Sequence, residues 1–389
     1  MDLPSKHALN LSRKLGSRGP GSDIESAAAS YILHSMSDIS ENVNMETFSC
    51  WKSDWNGISL VCVLGLLSFA LYLTSYLASV LLSVFSVLIF QMETYSWAVF
   101  SRISPRSPAS NIFCRIKPKD EIRRRVVLVA NYDTPKSSIF GRSKLSRAFR
   151  AFYFLSFISF LVITGLALFG FLGSLAEIHR KFLLCAWLSC CPLAFYLLIF
   201  TLAIVSTEIF GDYTAGANDN ASGVGVMLSV LAAISSNPLE YTEVWGLASA
   251  RAYAGGRGMV AFLGRHRRQL KDAFIINIDH PGRDKLSVVT REGTILGFRP
   301  SRKLLRLVKK VSGSVKGLNL SKAKCRVKKS DAMVALARGY KAITIGGFSG
   351  GTFTGWRNTD DVFDHLDRIS LDKTVKFIQL LLEEIDSSF

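Results

Sequence analysis

Three long uncharged segments dominate the pattern of hydrophobic and polar positions along the chain. No charged residue occurs in residues 55–92, 151–176 or 182–207. A helix needs about 20 apolar residues to cross a bilayer, so the second and third segments each fit one crossing. The first segment has room for two helices joined by a tight turn near the sequence LTSY. The pattern therefore predicts about four membrane-spanning helices, in hairpins at residues 55–92 and 151–207.

Outside these segments, short strand-like and helix-like patterns alternate. Apolar residues recur at helical spacing in ESAAASYILHSM, whereas NVNMETFSC alternates apolar and polar residues as a strand does. Further strands are predicted at SNIFCRIKP, RRRVVLVANYD, TEVWGLAS, AFIINID and KAITIGG. Further helices are predicted from Ala221 onward and at GRGMVAFLGRHRRQL, SRKLLRLVKKV and SLDKTVKFIQLLLEEI. Strands that alternate with helices predict a layered α/β domain.

The two hairpins divide this domain into three pieces. Residues 21–54, 93–150 and 208–389 are predicted to form one body, because each hairpin returns the chain to its starting side. Residues 1–20 are polar and basic, contain Gly and Pro, and are predicted to be a disordered tail. The seven cysteines show no paired ligand spacing, so neither a disulfide framework nor a zinc knuckle is indicated.

Composition and charge favour an integral membrane protein. Of the 389 residues, 49% are hydrophobic, and the mean hydropathy is +0.26, which is high for a soluble domain. Arg142, Lys144, Arg147 and Arg150 precede the third crossing, so the positive-inside rule predicts that the polar domain lies in the cytoplasm. The net charge of +17 suits contact with anionic membrane lipid.

Much of the positive charge is concentrated in one segment. Between Arg302 and Lys329 there are eleven Lys or Arg residues and no acid. A solvated basic face and a surface for anionic lipid headgroups are both compatible with this pattern. The segment lacks the aromatic residues that interleave with basic ones in nucleic-acid-binding surfaces, so we expect no nucleic-acid partner.

The sequence GANDNASGVG places one carboxylate, Asp219, immediately before an apolar helical pattern. Asp at such a position commonly caps the free backbone N–H groups of a helix start. The stretch by itself favours this capping role, and only the rest of the chain can indicate a further one.

Six blocks, in order, resemble the di-zinc aminopeptidase and glutamate carboxypeptidase family. They are VVLVANYDTPKSSIFG, GANDNASGVGVML, VWGLASARAYAGGRGMVAFL, FIINIDHPG, SDAMVALARGYKAITIGG and RNTDDVFDHLD. The resemblance implies a three-layer α/β/α zinc-peptidase-like domain with a mixed sheet. It also implies a site in which two zinc ions polarise a peptide carbonyl and generate hydroxide, while a Glu transfers the proton.

The resemblance carries over only part of that site. Asp219 matches the carboxylate that bridges the two ions, and Asp279 matches an Asp that ligates one of them. Asp133 matches an acid that orients the first ligating His, but Asn131 occupies the position of that His.

The other positions are also changed. Ala252 falls at the general base, Tyr253 at a zinc-ligating Glu, and Arg357 at the late His. With three of five ligands and the base lost, we expect no intact catalytic residue, no zinc cofactor and no family-type hydrolysis. The predicted function is a membrane-anchored, peptidase-like module that binds a peptide or protein partner.

An active metallopeptidase with an altered metal site is the alternative. His280 follows Asp279 directly, but neighbouring side chains on a strand point to opposite faces, so we do not expect it to join the site. His365 lies four residues after Asp361 and could pair with it. Zinc would be the cofactor in that case.

The vacated site must also balance its charge. Three buried carboxylates without metal would repel one another, and burial would raise their pKa values. Arg357 carries a permanent charge and occupies a former ligand position. We therefore predict an ion pair between Arg357 and Asp219 or Asp279.

Overall fold

A computed structural model describes residues 3–318, 320–349 and 351–388. The described residues contain one mixed eight-stranded sheet, with helices on both of its faces. Its strands are β1 (Val43–Trp51), β2 (Arg106–Ile116), β3 (Arg124–Asn131), β4 (Thr242–Ser249), β5 (Phe274–Asp279), β6 (Lys285–Glu292), β7 (Ser321–Cys325) and β8 (Lys341–Phe348).

The sheet order is β1-β2-β4-β3-β5-β8-β6-β7. Four neighbouring strands at its centre, β4, β3, β5 and β8, are parallel, so their carboxyl ends meet at one edge. The flanking β1, β2 and β6 pair antiparallel with their neighbours, and the edge strand β7 runs parallel to β6. The mixed sheet that the resemblance implied is therefore confirmed.

Helices cover both faces of the sheet, and the residues of the central strand β3 show this. In β3, Val126 and Leu128 belong to one apolar core, and Val127 and Val129 belong to the core on the opposite face. Both faces of this central strand are buried, which explains its nearly continuous apolar sequence. The α-helices are α1 (Leu3–Leu9), α2 (Asp23–Ser37), α3 (Trp55–Leu71), α4 (Tyr76–Thr94), α5 (Ser143–Leu175), α6 (Arg180–Ser189), α7 (Cys191–Phe210), α8 (Ser222–Ser236), α9 (Arg257–Arg265), α10 (Arg267–Leu270), α11 (Arg302–Val311), α12 (Asp331–Leu336) and α13 (Arg368–Ser387).

The predicted disorder of residues 1–20 is wrong. The described part of this segment forms α1 and a further helical turn at Asn10–Leu15, and the side chains of Ala8 and Leu11 are fully buried. Arg18 is fully buried as well, and its guanidinium donates hydrogen bonds to five backbone carbonyl oxygens. The polar composition suggested a solvated segment, but backbone carbonyl oxygens instead of water accept the hydrogen bonds of the Arg18 guanidinium.

Among the described residues, three helices are long and apolar enough to cross a membrane, namely Tyr76–Thr94, Lys144–Leu175 and Cys191–Phe210. The helix Trp55–Leu71 is also apolar but has only 17 residues. Large apolar side chains lie exposed along these helices, among them Leu81 and Phe195. Length and composition thus identify three candidate spans, and the crossing topology with about four spans stays a prediction.

The bases of these helices are continuous with the α/β domain. One apolar cluster contains residues of α3, α4, α5 and α7 together with Tyr253, Phe353 and Trp356 of the domain. Polar contacts reinforce the junction, because the Lys329 ammonium contacts the Asp54 carboxylate at 2.6 Å, directly before α3. The helical hairpins therefore adjoin the carboxyl edge of the central strands.

Candidate functional site

The candidate site lies where the central parallel strands end. Asp279 is the last residue of β5, and Asp133 follows the end of β3 by two positions. Asp219 is supplied by the turn at Ala217–Ala221, just before α8. Gly216 precedes this turn with a φ of 60°, where an added Cβ would collide with Thr134. Parallel strands thus bring together three carboxylates that are distant in sequence.

Two cations neutralise Asp219 and Asp279. The Lys328 ammonium lies 2.9 Å from Asp279 Oδ1 and 3.4 Å from Asp219 Oδ1. The His280 imidazole contacts both acids through its two ring nitrogens. Nδ1 lies 2.6 Å from Asp279 Oδ1, and Nε2 lies 3.3 Å from Asp219 Oδ2. All four side chains are at most 5% exposed. We name these four residues the buried charge cluster.

The expectation that His280 would stay outside the site is wrong. β5 ends at Asp279, and His280 adopts a φ of 55°, in the left-handed region that non-glycine residues rarely occupy. The alternation of side chains along a strand no longer applies there, and the imidazole turns back onto its own neighbour. Its ring also stacks on Phe353, with centroids 4.3 Å apart.

Electrostatics within the cluster favour the charged form of every member. Burial alone would raise the pKa of Asp219, but His280 and Lys328 outweigh burial and lower it. Burial alone would also raise the pKa of Asp279, but Lys328 and, to a lesser extent, His280 outweigh burial and lower it. Burial alone would lower the pKa of His280, but the two carboxylates raise it from 6.5 to about 9. The predicted rise was therefore wrong for these two acids.

Asp133 behaves as predicted from burial. Burial raises its pKa, although hydrogen bonds from the backbone N–H groups of Ala252 and Tyr253 oppose the rise. These N–H groups lie 3.1 and 3.3 Å from its carboxylate oxygens. Asn131 also donates to Asp133 through its side-chain amide. Asp133 thus holds the backbone of the β4 exit loop in place.

Residues 252 and 253 differ chemically from an acid pair. Ala252 contributes only a methyl group, which cannot accept a proton. The Tyr253 hydroxyl donates a hydrogen bond to Asp219 Oδ2, and burial, followed by the negative charge of Asp219, raises the pKa of this phenol well above its usual range. Tyr253 therefore acts on Asp219 as a neutral donor.

Arg357 does not neutralise the acids, so the predicted ion pair is wrong. Its guanidinium carbon lies 3.7 Å from the centre of the Trp55 ring and 5.1 Å from that of Tyr253. The side chain is only 3% exposed and donates to the Lys136 carbonyl at 3.4 Å. Arg357 therefore binds the first residue of α3 through a cation–π contact.

Asp361 and His365 form separate contacts. The carboxylate of Asp361 accepts hydrogen bonds from the backbone N–H groups of Asn218 and Asp219, at 2.7 and 3.0 Å. His365 Nδ1 lies 3.2 Å from Asp360 instead. The possible His365–Asp361 pair is thus absent, and Asp361 supports the turn that carries Asp219.

Comparison with known proteins gives the family context of this geometry. Residues 204–384 match the model of peptidase family M28, which covers Asp219, Tyr253, Asp279 and Lys328. Over these residues the chain is similar to peptidase family M28. No curated protein matches the sequence.

Solved structures share the fold of this M28-like chain. A zinc-dependent exopeptidase from Parabacteroides distasonis superposes with a TM-score of 0.55 and 13% identity, over 100% of this chain and 98% of its own. A glutaminyl cyclase from Bacteroides thetaiotaomicron gives 0.56 and 15%, over 98% and 97% of the two chains. A leucine aminopeptidase precursor from the same organism gives 0.54 and 14%, over 98% and 96%. Identities this low establish a common fold and not a common activity.

The M28-like site offers few ligands for metal. Ligand atoms of Asp219, Asp279 and His280 lie within 4.8 Å of one another and are all buried. The Lys328 ammonium, however, already contacts both carboxylates. Burial is the largest single influence on the pKa of Lys328 and lowers it, but the two carboxylates together outweigh burial and raise this pKa above the usual lysine value. The sequence patterns did not assign Lys328 to the site, although Lys328 lies in the basic segment between Arg302 and Lys329.

The space above the cluster is nearly filled. Trp55 and Ile58 of α3 and Phe149 and Tyr153 of α5 line a cavity of about 40 Å³ that also touches Tyr253. A pocket for a small organic ligand typically has ~300 Å³ or more. The bases of two helical-hairpin helices therefore cover this side of the cluster.

Proposed function

We propose that the chain is a catalytically inactive, membrane-anchored M28-like protein that acts as a binding or scaffolding module. The position of Lys328 carries this proposal. Its ammonium bridges Asp219 and Asp279, the two acids that the family resemblance assigns to metal. An ammonium cannot share this space with a dication, because the two charges repel and both require the same carboxylate oxygens.

The missing proton carrier supports the same conclusion. Peptide hydrolysis on a metal site needs a base that accepts a proton from water and returns it to the leaving group. The resemblance places Ala252 at the base position, and the oxygens of Asp133 already accept hydrogen bonds from the backbone N–H groups of Ala252 and Tyr253. The remaining donors therefore do not fit a functional zinc pair.

The helical hairpins support the scaffolding role. Arg357, which the resemblance places at a ligating His, contacts Trp55 at the base of α3, and the neighbouring Trp356 contacts Phe149 at the base of α5. A residue that would hold metal in a peptidase thus holds the membrane segments to the domain. In this proposal, the former catalytic cleft is a structural junction, the helices are embedded in lipid, and the domain lies in the cytoplasm.

Metal analysis tests the proposal directly. We expect full-length protein, purified in detergent and exposed to zinc, to retain far less than one ion per chain after gel filtration. Its melting temperature should not respond to zinc or to a chelator, and aminopeptidase substrates should remain intact. Two tightly held zinc ions per chain, or hydrolysis that a chelator abolishes, would overturn the inactive assignment. A monodisperse protein obtained without detergent would overturn the membrane assignment.

An active metallopeptidase with an altered site is the second candidate, and the three clustered ligand atoms of Asp219, Asp279 and His280 favour it. This candidate requires zinc to displace Lys328. If zinc binding is observed, Asp279→Asn must abolish it, whereas Asp284→Asn, at an exposed position, must leave it intact. Zinc binding that survives Asp279→Asn would place the ion elsewhere and exclude this candidate.

A further inference from the structure

A groove beside the base of α5 collects basic residues from separate parts of the chain. Arg147 and Arg150 lie in the first two turns of α5, Lys322 and Lys324 lie on the edge strand β7, and Arg326 follows that strand. All five line a groove of about 710 Å³, whose lining contains no Asp or Glu. We name it the basic groove.

The residues that the structure describes supply no counter-charge to these five cations. No carboxylate of the described chain forms an ion pair with any of them, whereas Lys310, Lys328 and Lys329 of the same basic segment each have acidic partners. Arg326 is partly buried, and after burial the neighbouring charge of Arg150 is the next cause that lowers its pKa. Mutually repelling cations in one concave site favour an anionic ligand, because a nearby negative charge stabilises their charged forms.

Protection of an exposed sheet edge explains only part of this arrangement. Lysines on an edge strand prevent pairing with other chains, which suffices for Lys322 and Lys324. It does not explain why Arg147 and Arg150 of a helix from another part of the chain face the same groove. Their convergence requires the tertiary structure.

The position of the groove along α5 identifies the anion. The uncharged run of this helix begins at residue 151, directly after Arg150. Arg147 lies about 4.5 Å further from that boundary, at 1.5 Å per residue. Where α5 enters a bilayer, this level coincides with lipid phosphates, and basic pockets beside membrane helices recognise such headgroups.

We propose that the basic groove binds the phosphate-bearing headgroup of an anionic membrane lipid. Arginine guanidinium groups pair with phosphate oxygens in bidentate fashion, and the two lysines add unpaired donors. The proposal rests on the membrane-anchored part of the proposed function and is independent of whether the M28-like site hydrolyses peptides. It assigns a ligand to one part of the basic run and leaves α11 as a solvated face.

Binding of a fluorescent phosphatidic acid to full-length protein in neutral detergent tests this site. The test variant replaces Lys322, Lys324 and Arg326 with Ala. The control variant replaces Arg302, Arg306 and Lys309 with Ala, which removes the same charge from exposed positions of α11. We expect the groove variant to weaken binding on the order of 100-fold and the control to change it by less than about threefold.

Three results would overturn the proposal. Equal losses in both triple variants would show that diffuse positive charge attracts the lipid. Equally tight binding of labelled phosphatidylcholine would show that the apolar helices bind acyl chains without reading the headgroup. Displacement of the probe by inorganic phosphate at equal concentration would show a site for free anions.

Two further measurements complete the design. Lys322→Arg with Lys324→Arg should retain affinity, because the charges remain. Flotation of the unaltered protein with vesicles of pure phosphatidylcholine tests membrane insertion separately. If the protein floats but the groove variant still binds phosphatidic acid normally, the headgroup site fails while the membrane assignment stands.

Discussion

Replacement of Lys328 by Met should reveal whether the buried charge cluster stabilises the fold. At an effective dielectric constant of about 20, the attraction between the ammonium and Asp279 at 2.9 Å is ~6 kcal/mol, and that to Asp219 at 3.4 Å is ~5 kcal/mol. Desolvation of the lysine offsets much of this gain. Removal of one partner from a buried pair typically costs ~3–5 kcal/mol, because the remaining charges stay buried.

Met is the appropriate replacement because it retains the length and apolar stem of lysine. Among the described residues, Lys328→Met leaves His280 as the only cation in contact with Asp219 and Asp279, so the cluster acquires a net negative charge. We expect the free energy of unfolding to fall by ~3–5 kcal/mol, which corresponds to a decrease in melting temperature on the order of 10 °C. Lys309→Met, on the exposed face of α11, should change it little.

A second substitution separates the charge from the packing of the side chain. Lys328→Met combined with Asp279→Asn removes one charge of each sign, and we expect the pair to be more stable than Lys328→Met alone. Thermal and denaturant unfolding in the same detergent provide the measurement. A single variant within about 1 kcal/mol of the unaltered protein, or a double variant that shows no recovery, would refute the reasoning.

Three other predictions follow from residues outside this cluster. Arg18→Met should destabilise the N-terminal segment by ~3 kcal/mol or more, since five backbone carbonyl oxygens lose their donor, and faster amide exchange there would be the readout. Burial lowers the pKa of His7 to about 4, so folding favours the neutral imidazole. The free energy of unfolding should therefore fall as the pH decreases from about 6.5 to 4. His7→Asn should flatten this pH dependence, and an unchanged slope in that variant would contradict the assignment. Arg357→Met should cost ~2 kcal/mol through its contact with Trp55, and a double-mutant cycle with Trp55→Leu that gives no coupling would exclude the cation–π contact.

Local patterns in the sequence determined most of the elements. The alternating apolar pattern of β1, the continuous apolar run of β3 and the helical spacing of α13 each correspond to the observed element. The uncharged segments likewise predicted long apolar helices. Such patterns are readable because burial of a helix or strand repeats with a fixed period along the chain. The weakly patterned strands β6 and β7 were not predicted.

Order of motifs also placed several residues of the site. The family resemblance assigned Asp219 and Asp279 to one shared site, and the structure brings both into one buried cluster. The resemblance matched Asp133 to an acid that orients the side chain at position 131, and the Asn131 side-chain amide does contact Asp133. These inferences succeeded because the order of blocks in a fold of this type fixes which strand ends converge.

Tertiary structure alone decided how the site balances its charge. His280 joins the cluster because its backbone turns with a positive φ at the end of β5, and no periodic pattern encodes that turn. Lys328 and Arg357 carry the same charge in the sequence, yet Lys328 lies against the carboxylates and Arg357 lies on the Trp55 ring. The order of the charged residues along the chain does not determine their Coulomb energy, because that energy depends on distance and burial. Both are set only when the strands, loops and helical hairpins pack together.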